Sequence, residues 1–322
     1  MDNINVSLII PLYNGEPYIS STLESVISQD FTNFEVIIVD DGSTDNGLDI
    51  AFEILSKTDI PHKLIYQKNH GVSVARNVGL ENARGNYIVF LDDDDKIKSN
   101  HISTLFKKAQ TADLAYTNLS KVDRKGNTLS TTHLEGDIIS AHDFLEKELK
   151  MEISFNFVQL IYKTSILKEN NIRFRENAVY GEDTEFAYKA LSFADSVAVS
   201  PGVTYLYLQR DNSAISTANY RRFAFVEILE SVSNYFSKDL SELVKTQRIP
   251  KAIFGNMLYF FYNDYPFEEV MAKMEELDLF DKLKNFKALS SKDRKFNLKI
   301  KLFLLNPKLY YLMWKKFKNS ID

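Results

Sequence analysis

Residues 6–15 read VSLIIPLYNG and set the plan of the first third of the chain. A short, β-branched and mostly apolar run, Val6 to Ile10, predicts a buried strand that Pro11 ends. Tyr13, Asn14 and Gly15 follow it as a polar loop. From residue 17 to residue 29 the apolar residues recur at helical spacing. The segment therefore predicts a strand, a loop at its carboxyl end and a covering helix.

The same strand–helix unit recurs up to residue 91. Strands that are apolar throughout and alternate with helices are typical of a parallel sheet covered on both faces. Right-handed crossovers make such a sheet doubly wound. We therefore predict an α/β fold with a mostly parallel sheet. Its further elements are strands at 35–39, 63–66 and 87–91 and helices at about 48–55 and 72–83.

After residue 112 the pattern is mixed, and after Asn219 it is helical to the end. Short strands are predicted at 114–117, 159–162 and 203–208, and a helix at 183–192. We expect a first domain over residues 1–216, which carries the candidate site, and a helical carboxyl-terminal region over residues 217–322.

Composition excludes several classes of protein. The chain has 322 residues and no cysteine, so disulfides, thiolate catalysis and cysteine-ligated zinc are absent. The amino terminus lacks the pattern of a signal peptide, and no run reaches the roughly 18 to 20 apolar residues of a spanning helix. We expect a cytoplasmic protein. Its net charge of −5 is uneven, because residues 282–322 hold 12 Lys and Arg against 2 Asp.

Polar residues follow three of the predicted strands. They are residues 11–15, 40–45 and 92–95. In open α/β sheets ligands bind beyond the carboxyl ends of the strands. The sequence therefore predicts a ligand site where these three loops meet.

Four consecutive aspartates, Asp92 to Asp95, end the strand at 87–91. Like charges a few ångströms apart raise one another's pKa unless a cation is present. Magnesium or manganese, held by one or two carboxylates and by phosphate oxygens, resolves that conflict. A solvated acidic loop is the alternative, but the buried strand before the cluster favours the metal.

Asp40 ends the second predicted strand and opens an acidic turn. A carboxylate there can accept hydrogen bonds from a ribose or a base, as in dinucleotide-binding folds. The alternative is turn chemistry, in which Ser43 or Thr44 caps the next helix. The two can hold together.

Five motifs together resemble the family-2 glycosyltransferases, which are inverting enzymes with a GT-A fold. Each is modest alone, but the five in this order and spacing are specific. The match covers about residues 6–216. The motifs are Pro11-x-Tyr13-Asn14, Val39-Asp40-Asp41-Gly42-Ser43-x-Asp45, Gly71-x-x-x-Ala75-Arg76-Asn77-x-Gly79, Phe90-Leu91-Asp92-x-Asp94-Asp95 and Gly181-Glu182-Asp183.

The resemblance implies roles for residues near the donor. Pro11, Tyr13 and Asp40 would line the nucleobase and ribose pocket. Arg76 would contact the nucleotide through its base or phosphates.

The resemblance also implies a DxD pair, Asp92 and Asp94. Asp94 would bind the Mn²⁺ or Mg²⁺ ion directly and Asp92 would reach the ribose. Asp93 stands where the family usually has a small or polar residue. We count it among the candidate nucleotide-sugar-binding residues, with Asp94 and Asp92 as the candidate metal ligands.

Asp183 takes the place of the family's general base. An inverting transfer needs a carboxylate that accepts the proton of the attacking hydroxyl. A common alternative is an acidic residue that stabilises a helix amino terminus. Residues 209–213 resemble the family loop that closes over the diphosphate, and Arg210 would add positive charge there. A surface arginine is the alternative.

Basic and apolar residues alternate in the tail, residues 299–318. Lysines with Trp314, tyrosines and leucines fit a helix on an anionic membrane surface, at the inner face of the cell membrane. A core-packing helix and a contact in a homo-oligomer are the alternatives. The acidic body and the lack of a recognised module argue against nucleic acid.

The resemblance thus implies transfer of a hexosyl or N-acetylhexosaminyl group from a UDP-sugar to a saccharide, lipid-linked or protein-linked glycan. Capsule, exopolysaccharide, cell-wall or glycan assembly would be the setting. A dinucleotide oxidoreductase lacks support because Gly-x-Gly-x-x-Gly is missing after the first strand. A phosphatase or nucleotidyltransferase leaves Arg76 and Asp183 unexplained. The remaining alternative is an inactive nucleotide-sugar-binding subunit of another transferase.

Overall fold

A computed structural model describes residues 4–178, 180–210 and 219–318. The chain divides into two compact units, Met1–Glu148 with Glu152–Ser213 and Leu149–Met151 with Ala214–Asp322. The domain boundary expected at residues 216 and 217 lies outside the described residues.

One mixed sheet forms the centre of the first unit. In the part of the chain that the structure describes it has ten strands: β1 Val6–Leu12, β2 Phe34–Asp40, β3 His62–Tyr66, β4 Tyr87–Phe90, β5 Lys96–Ile97, β6 Leu114–Val122, β7 Thr128–Thr131, β8 Ile138–Ser140, β9 Leu160–Lys163 and β10 Ser196–Leu208. The main order is β3-β2-β1-β4-β9-β6-β10-β5, with β7 beside β6 and β8 beside β10. The predicted α/β fold is confirmed.

Helices α1 to α7 accompany the sheet, and α8 to α14 follow it. Their bounds are α1 Ile19–Ile27, α2 Gly47–Leu55, α3 Val72–Asn82, α4 His101–Ala109, α5 Ala141–Leu149, α6 Thr164–Glu169, α7 Glu182–Ser192, α8 Phe225–Val232, α9 Lys238–Leu243, α10 Ile249–Tyr262, α11 Phe267–Glu276, α12 Leu279–Lys284, α13 Ser291–Leu305 and α14 Pro307–Lys318.

The strands β3, β2, β1 and β4 form the parallel half of the sheet. Every residue of β1, β2 and β4 is buried, so both faces of the sheet are covered there. Pro11 does not end β1 as predicted. The strand runs on to Leu12, where it pairs with Asp40 of β2. The carboxyl ends of β1, β2 and β4 therefore lie side by side.

The second half of the sheet is largely antiparallel. Strand β9 lies between β4 and β6 and is antiparallel to both. Strands β6 and β10 are parallel partners and are longer than predicted, with register shifts between Ser200 and Tyr205. These pairings join segments far apart in sequence.

An aromatic cluster packs under the end of β4. Phe90 lies 5.3 Å from Phe174 and 5.5 Å from Phe157 and Phe186, measured between ring centroids. Phe174 and Phe186 stack at 4.1 Å. These rings fix the floor on which the candidate site is built.

The second unit is helical, as predicted for the carboxyl-terminal region. Its core uses aromatic residues of the tail. Tyr310 lies 5.8 Å from Phe254, and Tyr311 and Trp314 lie 4.8 and 5.7 Å from Phe261. These three tail aromatics pack into the unit, so they are not the ones that a membrane could contact. None of the described helices is both long and apolar enough to span a bilayer.

Candidate active site

The loops after β1 and β2 are joined by hydrogen bonds between motif residues. Asn14 adopts φ 50°, a left-handed conformation that asparagine tolerates. Its N–H donates to Ser43 Oγ (2.9 Å), and its Oδ1 accepts from the Thr44 N–H (2.9 Å). The Glu16 N–H donates to Asp45 (2.8 Å). Asn14, Ser43 and Asp45 therefore build the site and hold the two loops in register.

The paired aspartates after β2 are both buried. Asp40 accepts hydrogen bonds from the Ser43 hydroxyl and, at 3.3 Å, from the Ser43 N–H. Asp41 accepts from Gln67 Nε2 (2.7 Å) and from the Gly71 N–H (2.8 Å). Asp40 closes its own turn with Ser43, while Asp41 anchors the loop before α3. The alternative prediction is wrong, because α2 begins after Asn46 without a side-chain cap, and neither Ser43 nor Thr44 caps it.

Tyr13 and Pro11 differ in exposure. Pro11 is buried within β1, whereas Tyr13 is 53% exposed at the end of that strand. The Tyr13 N–H donates to Asp93 Oδ2 (3.3 Å). A Cβ on Gly15 would collide with that same Asp93 carboxylate. The loop after β1 therefore packs directly on the loop after β4 and presents an aromatic ring beside it.

The four consecutive aspartates have four different environments. Asp92 pairs with Arg76 (2.8 Å) and Asp94 pairs with Arg210 (2.6 Å). Asp95 accepts from the Tyr205 hydroxyl and from the Leu208 N–H, both at 2.7 Å.

Burial and mutual repulsion raise the pKa values of Asp93, Asp94 and Asp95. Burial, and then the charge of Asp94, raises the pKa of Asp93 to about 7. Burial, and then the charge of Asp92, raises the pKa of Asp94, and Arg210 opposes that rise. The pKa of Asp95 is raised well above its usual value, first by burial and then by Asp92. Burial is the largest cause in all three cases, so these carboxylates ionise less readily than exposed ones.

Arg76 connects two motifs. Its Nη2 lies 2.8 Å from Asp92, and its Nη1 lies 3.6 Å from Glu182. The guanidinium carbon lies 4.5 Å from the ring centroid of Phe157 and 5.3 Å from that of Phe174. Only 7% of the side chain is exposed. Arg76 is therefore held rigidly between the acidic cluster and the turn at Gly181.

Asp183 lies in the first turn of α7, next to Glu182. Gly181 precedes the helix with φ 86°, a conformation that favours glycine. Asp183 is half-buried, and its Oδ1 accepts from the Thr184 N–H (2.6 Å). Burial, and then the charge of Asp183, raises the pKa of Glu182. Arg76 thus links the turn that carries Asp183 to Asp92.

Arg210 approaches the cluster from the end of β10. Besides its ion pair with Asp94, its guanidinium carbon lies 5.1 Å from the ring centroid of Tyr18. The rest of the predicted loop, residues 211–213, lies outside the described residues. The last described residue of this loop, Arg210, thus contacts the acidic cluster.

The donor set suits a hard divalent cation. Asp94 and Asp92 offer carboxylate oxygens next to each other at a strand end, which is the ligand type that magnesium and manganese prefer. The pKa of Asp94 is raised by burial and by Asp92. A bound divalent cation would lower it again, because it would stabilise the ionised carboxylate. In this structure the Arg210 guanidinium is the positive group that pairs with Asp94.

Sequence reasoning missed two residues of this site. Glu182 belongs to the motif Gly181-Glu182-Asp183, but the sequence alone assigns it no role. Its contact with Arg76 joins residues that are 106 positions apart in the chain. Asp95 could not be told from Asp94, because only the fold shows that it bonds to β10. Five of the predicted site residues lie at the same edge of the sheet: Tyr13, Asp40, Asp92, Asp93 and Asp94. Arg76 and Arg210 reach this edge through their ion pairs with Asp92 and Asp94. Asp183 is linked to it through its neighbour Glu182, which lies 3.6 Å from Arg76.

Comparisons with known proteins identify relatives for this arrangement. Residues 7–169 match the sequence profile of glycosyl transferase family 2. EpsJ of Bacillus subtilis, an uncharacterized glycosyltransferase, is 30% identical over 214 residues, which are 65% of this chain and 62% of EpsJ. The poly(ribitol-phosphate) beta-N-acetylglucosaminyltransferase TarS of Staphylococcus aureus is 30% identical over 75% of this chain and 42% of TarS. The match therefore spans less than two thirds of either relative.

Solved structures share the fold. The crystal structure of S. aureus TarS 1–349 with UDP-GlcNAc superimposes with a TM-score of 0.73 at 21% identity, over 98% of this chain and 92% of that one. A mannosyltransferase of Pyrobaculum calidifontis, solved with GDP-Man and Mn²⁺, gives 0.57 at 17% identity, over 97% of this chain and 88% of that one. At these identities the likeness concerns the fold.

Proposed function

The chain belongs to glycosyl transferase family 2, and on that premise we propose that it transfers a sugar from a UDP-sugar to a glycan acceptor, with inversion at the anomeric carbon. The observation that carries the proposal is the bridge made by Arg76. It joins Asp92, at the expected metal and diphosphate position, to Glu182, the neighbour of the expected base. The buried Arg76 guanidinium would thereby hold the metal and diphosphate position and the candidate base at a fixed distance from each other.

The donor end of the site lies at β1 and β2. The exposed ring of Tyr13 offers a surface on which a nucleobase can stack, with Pro11 behind it in the strand. Asp40, at the end of β2, would accept from the base or ribose once its bond to Ser43 is exchanged. The UDP-GlcNAc bound in the TarS structure supports a uridine donor carrying a hexosyl or N-acetylhexosaminyl group.

Asp94 and Asp92 would hold Mn²⁺ or Mg²⁺, with Asp93 alongside. The cation would neutralise the charge that grows on the departing diphosphate. The Mn²⁺ in the mannosyltransferase structure supports a metal at this type of site. Arg210 would exchange its bond to Asp94 for the diphosphate, so that its charge stays in the site when the donor arrives. Arg76 would remain in place, because its guanidinium is fixed by two aromatic rings.

Asp183 would take the proton of the acceptor hydroxyl. The bond that forms joins this oxygen to the anomeric carbon, and the bond that breaks joins that carbon to the diphosphate oxygen. The proton goes to the Asp183 carboxylate, and the electron pair of the broken bond leaves with UDP. The half-buried position of Asp183, with one oxygen bonded to the Thr184 N–H, leaves the other oxygen for the hydroxyl.

The acceptor would be a saccharide or a lipid-linked or protein-linked glycan made on the cytoplasmic side of a bacterial cell. The support is that the relative TarS is a poly(ribitol-phosphate) beta-N-acetylglucosaminyltransferase. Capsule, exopolysaccharide and wall polymers are the classes to test first.

A panel of nucleotide sugars with Mn²⁺, Mg²⁺ or EDTA tests the proposal. We expect slow hydrolysis of one UDP-sugar that requires the metal, and faster release of UDP when a matching glycan is added. Binding of UDP-sugar without hydrolysis or transfer across the whole acceptor panel would favour the alternative, a catalytically inactive subunit. Absence of nucleotide binding would contradict both functions.

A further inference from the structure

Helices α13 and α14 carry an exposed surface that the proposed chemistry does not use. Seven of the twenty large exposed apolar residues of the described chain lie between residues 298 and 317, and each is between 46% and 83% exposed. They are Leu298, Leu302 and Leu305 of α13 and Leu309, Leu312, Met313 and Phe317 of α14. We call this set, with the lysines named below, the basic apolar face.

The apolar residues of α13 form one stripe. At about 100° per residue, Leu298, Leu302 and Leu305 fall within about 60° of one another. The opposite side of the helix holds Ile300 and Phe303, which are buried in the second unit. The helix therefore packs through one face and leaves a second apolar face in contact with water.

Helix α14 repeats this division. Tyr310, Tyr311 and Trp314 pack on rings of the second unit, whereas Leu309 and Phe317 are 53% and 65% exposed. Because α13 and α14 pack on each other, the two exposed stripes belong to the same unit. An exposed apolar patch of this kind marks an interaction surface.

The charge around the patch is mostly positive, and four of its lysines lack an ion-pair partner among the described residues. Residues 292–318 contain nine Lys and Arg and one acidic residue, Asp293, which is bound by Lys251 at 3.1 Å. On α13, Lys295 and Lys299 border one side of the stripe and Lys301 the other, and Lys316 lies within the stripe of α14. None of these four has an ion-pair partner among the described residues.

Two other lysines of the tail are used within the unit. Lys308 pairs with Glu268 and lies 4.5 Å from the ring centroid of Phe267. Lys318 donates to the Tyr262 carbonyl at 2.8 Å. The structure thus divides the basic residues into those that stabilise the helical unit and those that face solvent beside the apolar stripes.

We propose that the basic apolar face binds the surface of an anionic lipid bilayer, with its leucines and Phe317 between the lipid headgroups. A helix whose apolar residues are flanked by lysines lies in the interface plane, while the lysine stems extend to the phosphates. A second copy of the chain fits less well, because a two-fold contact would bring the unpaired lysines of both copies together. This proposal goes beyond the proposed function and does not depend on it.

Sedimentation of the full chain with vesicles tests the proposal. We expect binding to vesicles of equal parts phosphatidylglycerol and phosphatidylcholine, little binding to phosphatidylcholine alone, and weaker binding as NaCl is added. A change of Lys299, Lys301 and Lys316 to Gln should weaken binding about a hundredfold, at about fivefold per lysine. A change of Leu309 and Phe317 to Ser should weaken it by about tenfold or more.

Matched variants control for charge and apolar area. Lys107, Lys125 and Lys238 are exposed lysines elsewhere, and their joint change to Gln should leave vesicle binding within about twofold. The same is expected for Leu129→Ser with Ile138→Ser, two exposed apolar residues of the first unit. All variants should keep the wild-type thermal midpoint, since the changed side chains are exposed.

Three results would overturn the proposal. One is a wild-type chain that ignores the anionic vesicles. Another is that the variants of the face bind as tightly as the wild type. The third is a mass, measured by light scattering, that falls from oligomer to monomer in the Leu309→Ser and Phe317→Ser variant, which would assign the face to self-association. UDP binding measured on the same variants keeps this test separate from that of the proposed chemistry.

Discussion

The acidic sheet edge and the basic apolar face both concentrate one sign of charge, but they hold it differently. Asp92 and Asp94 are mostly buried, and each is paired with an arginine at 2.8 or 2.6 Å. Lys299, Lys301 and Lys316 are exposed and have no ion-pair partner in the described chain. Buried charges interact strongly and over fixed distances, whereas exposed charges are weakened by water and salt. The first arrangement suits a small ligand of defined shape, and the second suits an extended charged surface.

The largest effect should come from Asp183→Asn, which breaks the acidic site at its chemical step. Asparagine keeps the size of the side chain but cannot accept the proton of the acceptor. We expect transfer to fall about a thousandfold, within the usual range for a general base, with UDP binding retained. Steady-state transfer and calorimetric titration with UDP measure the two quantities. Asp195→Asn, an exposed acidic residue just after α7, should change neither, and full transfer by the Asp183 variant would refute its role.

Arg76→Gln should have the next largest effect, because it removes the buried cation between two acidic groups. Leaving a buried charge without its partner costs about 3 kcal/mol of unfolding free energy. Transfer should fall about a hundredfold, since the position of Asp183 relative to the donor is lost.

Urea unfolding and transfer assays test the Arg76 prediction. Lys57→Gln, which breaks an exposed pair with Glu53, is the control and should leave the urea midpoint unchanged. If Arg76→Gln bound UDP normally, transferred normally and unfolded at the wild-type midpoint, the bridge would have no function.

Arg210→Gln separates the role of this arginine from that of the metal in the acidic site. In the structure Arg210 competes for Asp94, so its removal should make Mn²⁺ binding tighter when no nucleotide is present. Transfer should nevertheless fall about tenfold, because a cation is lost beside the departing diphosphate. Mn²⁺ titration followed by electron paramagnetic resonance, together with transfer rates, separates these effects. Weaker Mn²⁺ binding in this variant would show that Arg210 does not compete with the metal for Asp94.

The smallest effect on the chemistry should come from the basic apolar face. Changing Lys299, Lys301 and Lys316 to Gln should leave Mn²⁺-dependent UDP binding within about twofold of wild type. The same variant is the one expected to lose vesicle binding. Calorimetry with UDP makes the comparison, and a large loss of UDP affinity would mean that the two regions are not independent.

The parallel half of the fold could be predicted because its signals are local. Apolar runs such as Ile37 to Val39, separated by helical periodicity, indicate parallel strands without knowledge of any distant residue. The same reasoning placed the loops after β1, β2 and β4 at one edge. The position of β9 between β4 and β6 could not be predicted, because it depends on pairing across more than 40 residues of chain.

The sequence indicated which residues gather at the candidate site, but not which groups each of them contacts. The run from Asp92 to Asp95 indicates a charge cluster, yet only the fold shows that Asp95 bonds to Tyr205 and Leu208. For the tail, residues 299–318, the predicted contact of its aromatic side chains was wrong. Its mixture of Lys, Tyr and Trp suggested aromatic contact with a membrane, but Trp314 packs inward because the core of the helical unit is built from aromatic rings.

The proposed chemistry requires that a divalent ion at Asp94 and Asp92 hold a nucleoside diphosphate at the end of β4. Isothermal titration of UDP into the full chain, with MnCl₂ and then with EDTA, tests it most directly. We expect binding at least about tenfold tighter with Mn²⁺, and no such gain in Asp94→Ala. Equal UDP affinity with and without Mn²⁺ in the wild-type chain would contradict it.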